Sequence, residues 1–125
     1  MPVLTIVRDT FVMELPNAKA AHVPLRKLTA YLLSETHAVG KAKASFFWMV
    51  GFSKDRAEKL REALIEVAQT GKVERIVETP YGKKYTVDGE MRTPSGRRLG
   101  IRTVWIMESG QVRPRFVTAY PHEGE

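Results

Sequence analysis

Hydrophobic positions along this chain change period at Gly71, from helical before it to extended after it. Before the change, Leu25, Leu28, Tyr31 and Leu32 recur at helical spacing behind Pro24, a favoured first helical residue, and predict a short amphipathic helix from Pro24 to Leu33. Ser34 to Gly40 then connects to a second helix over Lys41 to Val50, stopped by Gly51, whose Phe46, Phe47, Trp48 and Met49 are too apolar to leave in water. The strongest helical pattern follows Ser53, an N-cap residue with Asp55 in the first turn. There Ala57, Leu60, Ala63, Leu64, Val67 and Ala68 share one stripe, and Gly71 ends it.

Beyond Gly71, Val73 to Thr79 and Lys83 to Val87 flank Pro80-Tyr81-Gly82 and predict a hairpin, with Asp88-Gly89 as the next turn. Arg98 to Met107 alternates strictly, with Leu99, Ile101, Thr103, Trp105 and Met107 on one face and Arg98, Gly100, Arg102, Val104 and Ile106 on the other. Glu108-Ser109-Gly110 turns into a last strand from Arg113 to Tyr120, and His122 to Glu125 reads as a frayed tail. Upstream, Val3 to Val7 predicts an extra N-terminal strand, and Leu15-Pro16-Asn17-Ala18 a turn. Helices followed by four strands in meander order predict an α+β domain, with two to three helices on one face of an antiparallel sheet. If Leu99 and its companions face the helices, Arg98 and Arg102 point to the other, open face.

Composition narrows the chemistry. At 125 residues and 43% hydrophobic, the chain has the size of one domain able to bury its own core. With no cysteine, disulfides, thiol catalysis, Cys-ligated zinc and iron–sulfur clusters are excluded. No apolar run reaches the roughly 20 residues of a membrane span, and the first eight residues do not resemble a secretion signal, so a cytoplasmic location is expected. The carboxylates are scattered singly or lie on the Asp55 to Gln69 stretch, and Gly40-Lys41 lacks the other residues of a phosphate-binding loop. No metal and no nucleotide cofactor is therefore predicted.

The net charge of +6 and pI of about 9.8 suit an anionic partner, with nucleic acid ahead of membrane. Arg92, Arg97, Arg98, Arg102, Arg113 and Arg115 fall in a stretch whose only acid is Glu108, whereas Asp55 to Gln69 mixes both signs as a solvated helix face does. Lys41 and Lys43 stand at the start of the second predicted helix, where partial positive charge makes cations costly unless an anion compensates. His37 lies just before them, and their field disfavours the imidazolium. RNA cleavage needs a base for the 2′-hydroxyl and cations for the phosphorane, and His37 with Lys41, Lys43 and Arg102 contains both. A single histidine near a helix start is equally a capping or surface residue. Thr118 and Tyr120, expected to share a face with Phe116, offer hydroxyls to phosphate or ribose. Tyr81, Lys83, Lys84 and Tyr85 mix rings and cations as single-strand binders do. His22 and His122 have weaker settings, and Trp48 and Trp105 are assigned to the core.

Taken in order, Leu15-Pro16-Asn17-Ala18, Tyr31-Leu32-Leu33, His37 to Lys43, Phe46-Phe47, Tyr81-Gly82-Lys83-Lys84-Tyr85, Arg102 to Ile106 and Val117 to Pro121 resemble a family of small bacterial domains with no assigned function. The resemblance covers about residues 13 to 121, leaving about 1–14 as an N-terminal extension. More loosely, helices before a four-stranded meander with this last strand resemble the barnase, EndoU, colicin and RelE group of ribonucleases. That resemblance implies metal-independent RNA cleavage, often by toxins with an antidote protein. Carried onto this chain, it implies His37, Lys41 and Arg102 as catalytic residues, with Lys43, Arg98, Thr118 and Tyr120 holding substrate. The alternative is a non-catalytic module that binds nucleic acid or a protein partner.

Overall fold

The computed structural model describes residues 3–7, 10–28, 47, 51–52 and 57–122. His37, Lys41, Lys43, Trp48, Ser53 and most of the first two predicted helices lie outside them. An antiparallel hairpin of β1 (Val3–Val7) and β2 (Thr10–Glu14) opens the chain, so the expected N-terminal strand has a partner. A 3-10 turn at Ala18–Ala20 and α1 (Leu25–Lys27) follow. The longest described helix, α2, runs from Ala57 to Thr70 and buries Ala57, Leu60, Ala63, Leu64, Val67 and Ala68, the stripe expected from its spacing. Among the described residues no helix is long and apolar enough to cross a membrane.

The fold is α+β: four antiparallel strands in meander order, β3 (Lys72–Thr79), β4 (Gly82–Arg92), β5 (Arg98–Glu108) and β6 (Arg115–Pro121), with α2 against one face. Tyr85, Val87 and Met91 of β4, Ile101, Thr103 and Trp105 of β5, and Phe116 and Ala119 of β6 are buried with the α2 stripe, Phe47 and Phe52. Trp105 meets Phe116 edge to face, centroids 5.4 Å apart. The buried Trp105 Nε1 donates to Thr103 Oγ1 at 2.7 Å, and that hydroxyl donates to the Val87 carbonyl at 2.8 Å. Both polar groups are thus satisfied within the core.

Three local expectations are corrected. Asp88-Gly89 is not a turn: β4 runs through it to Arg92, because Gly89 sits where α2 ends and a Cβ there would lie 3.3 Å from the Gly71 Cα and the Val67 Cγ1. Tyr85 is a core residue, and burial raises its phenol pKa, so it has no exposed ring for stacking. Thr118 and Tyr120 do not share a face with Phe116. The β5–β6 register shifts between Val104 and Trp105, and this extra residue turns Phe116 inward while Thr118 and Tyr120 stand opposite Val104 and Arg102.

Candidate functional site

Sheet register builds the site. Asp88, Arg102 and Tyr120 are direct neighbours across β4, β5 and β6, on the face turned away from α2. Asp88 grips Arg102 through two hydrogen bonds, Nε to Oδ1 and Nη2 to Oδ2, each 2.7 Å. Hydrogen bonding to Asp88, opposed by burial and aided by the charge of Asp88 and by Tyr120, raises the Arg102 pKa further. The His122 amide donates to the Gly100 carbonyl at 3.0 Å, which continues the β5–β6 ladder and brings the imidazole beside this pair. Its Nε2 lies 3.2 Å from Arg102 Nη2 and 3.4 Å from Asp88 Oδ2. The three side chains keep 28%, 15% and 31% exposure for Arg102, Asp88 and His122, enough for a ligand to reach them.

This arrangement gives His122 a partner in either charge state. A neutral ring with a bare Nε2 accepts from Arg102, while an imidazolium donates towards Asp88. The cluster therefore combines a proton carrier, a fixed guanidinium and a phenol on an open surface. Thr118 lies one pair further along the same face, opposite Val104. Arg98 stands opposite Arg92 at the far end of β5, exposed, 3.7 Å from Glu90 and sharing a cleft with Glu66 and Thr70 of α2, away from the cluster. Of the residues expected from sequence, Arg102 and Tyr120 come together, Thr118 flanks them, Arg98 does not join, and His37, Lys41 and Lys43 lie outside the described residues.

Asp88 and His122 were not among the candidates. Asp88 belongs to the expected Asp88-Gly89 turn and His122 to the expected frayed tail, so local pattern singles out neither. A signal for His122 was present: Thr118, Tyr120 and His122 continue the period of two that puts a third polar group on the same face. Among the described residues no group of three or more His, Asp or Glu is placed to hold a metal ion.

A family model described as "Domain of unknown function (DUF6883)" matches residues 14–123, nearly all of the chain. The chain belongs to the DUF6883 family. Its span falls close to that of the family resemblance read from sequence. The DUF6883 fold is similar to a chain in the solved contact-dependent growth inhibition toxin–immunity protein complex from Klebsiella pneumoniae 342. The TM-score is 0.67 at 16% identity, over 86% of this chain and 97% of that one. No curated protein matches the sequence.

Proposed function

We propose that this DUF6883 chain is a toxin-type module that cleaves RNA without a metal on the face carrying Asp88, Arg102, Tyr120 and His122. The observation that carries the reading is the Asp88–Arg102–His122 cluster, with an imidazole within 3.4 Å of both a carboxylate and a guanidinium on an open sheet face. The fold similarity to a chain of a toxin–immunity complex supports it, as does the net charge of +6.

In the reaction, the 2′-oxygen of RNA attacks the adjacent phosphorus, the P–O5′ bond breaks, and a 2′,3′-cyclic phosphate and a 5′-hydroxyl result. His37 takes the 2′-hydroxyl proton, and His122, beside Asp88, returns one to the departing 5′-oxygen. Arg102 and Lys41 face the charge that builds on the phosphorane, while Lys43, Arg98, Thr118 and Tyr120 hold the strand. The chain's own groups supply the acid, the base and the cations, so the scheme includes no metal step.

A second reading has its own observation. Asp88 neutralises Arg102, which weakens the bare electrostatic pull on phosphate and suits a non-catalytic module that engages a protein partner. The test is incubation of the full chain with RNA in EDTA, beside His122→Gln and His37→Ala, with detection of 2′,3′-cyclic phosphate ends. The enzyme reading expects cleavage by the wild type and a loss of about 10²-fold or more in each variant. No cleavage, with or without RNA retention, favours the binding module.

A further inference from the structure

At the other end of β5 and β6 a separate cleft of about 280 Å³ opens, lined by His22, Glu108, Ser109, Gln111, Arg113 and Arg115. Its walls are tied together. The Asn17 side-chain amide donates to the Val112 carbonyl at 2.7 Å, the His22 amide to Pro114 at 2.8 Å, and the Phe116 amide to His22 at 2.8 Å. Residue 22 thereby forms a parallel bridge with Arg115. Arg113 Nε donates to the Ala20 carbonyl at 2.9 Å, and Arg115 Nε to Glu108 Oε1 at 3.0 Å.

Each guanidinium is thus anchored through Nε, and among the described residues the terminal nitrogens of both have no protein hydrogen-bond partner. The His22 ring has none either. Its charged form is disfavoured first by burial and then by Arg113, Arg61 and Arg115. Glu108 faces Arg115, and Glu58 holds Arg61 at 2.8 Å, so the carboxylates here are already engaged by arginines.

We infer that this cleft is a phosphate-binding subsite, with Arg113 and Arg115 as its cations and Ser109 and Gln111 as neutral donors. Two guanidinium groups fixed at Nε present paired N–H groups that match phosphate oxygens. A phosphate there also adds negative charge beside His22, in a cleft whose one lining carboxylate, Glu108, is engaged by Arg115. Arg115 stands opposite Ile106 and Arg102 opposite Tyr120, so the two places are four β5 residues apart, about 13 Å at strand rise. One strand of RNA reaches both. The inference rests on the RNA reading for the source of the phosphate, and on the cleft alone for the phosphate itself.

The test follows the His22 imidazole by NMR in the full-length protein, titrated with inorganic phosphate and separately with a 2′-O-methylated oligonucleotide that cannot be cleaved. The expected result is a His22 pKa that rises with both probes, and a response at least fivefold weaker in Arg113→Gln. A rise with phosphate and none with the oligonucleotide keeps the subsite and removes RNA as its source. A rise with the oligonucleotide alone keeps the subsite for phosphate carried on a strand. The subsite is overturned if neither probe moves His22, as an acidic protein partner at this cleft would predict. It is equally overturned if Arg113→Gln responds like the wild type. Should neither probe move His22 while the oligonucleotide perturbs the Arg102 and Tyr120 signals, the subsite fails while RNA binding stands.

Discussion

Asp88 and Arg102 sit opposite one another on β4 and β5 and are joined by two parallel hydrogen bonds of 2.7 Å. With both side chains mostly covered, losing either one leaves the other short of a partner. Asp88→Asn and Arg102→Gln should each cost about 1–2 kcal/mol. The double variant should cost less than their sum, because the two act through one interaction. Urea denaturation of the four proteins in the cycle measures this, and additivity would mean the pair contributes nothing as a pair.

Gly71 and Gly89 meet where the end of α2 approaches β4. A Cβ on Gly71 would lie 2.7 Å from the carbonyl oxygens of Asp88 and Val67, whereas one on Gly89 would meet its nearest atoms at 3.3 Å. Gly71→Ala should therefore destabilise by about 1–3 kcal/mol, and Gly89→Ala by distinctly less. Thermal unfolding of both variants gives the order, and the reverse order would contradict this packing.

Thr103 tests the core's polar chain. Thr103→Val keeps the shape but strands the buried Trp105 Nε1 donor, at a cost of about 1–3 kcal/mol. Thr103→Ser retains the hydroxyl and should lose less. Equal losses would show that methyl packing, not the hydrogen bond, sets the requirement.

His22 gives the chain a pH response of known sign. Burial and the fields of Arg113, Arg61 and Arg115 hold its pKa below 6.5, so the unfolded chain binds the proton more readily. Its contribution to stability is complete above about pH 6.5 and is lost as pH falls from there towards the folded-state pKa. His22→Gln should flatten that part of the stability profile. Urea midpoints across the range decide it, and an unchanged slope would assign the acid sensitivity to other groups.

Much of this fold is legible from local pattern. The α2 stripe and the alternation from Leu99 to Met107 follow from side chains that must choose between core and water, a choice written into neighbouring residues. The misread positions depend on distant ones. Gly89 looks like a turn until Gly71 is brought against it, and the flip between Phe116 and Thr118 comes from Val117, the extra β6 residue where β6 pairs with Val104 and Trp105 of β5. The candidate site was half visible: Arg102 and Tyr120 lie on recognisable strands, but Asp88 and His122 matter through pairings that no short window contains.

The parallel bridge at His22 also bears on the exposed borders of the sheet. It occupies backbone groups on the border of β6, while β3, at the opposite border, carries Lys72, Glu74 and Arg75 and an irregular register between Val73 and Arg75. Both rims thus discourage edge-to-edge pairing with a strand of another chain. A protein built this way can leave one sheet face uncovered without presenting a plain, unmodified edge to a second copy of itself.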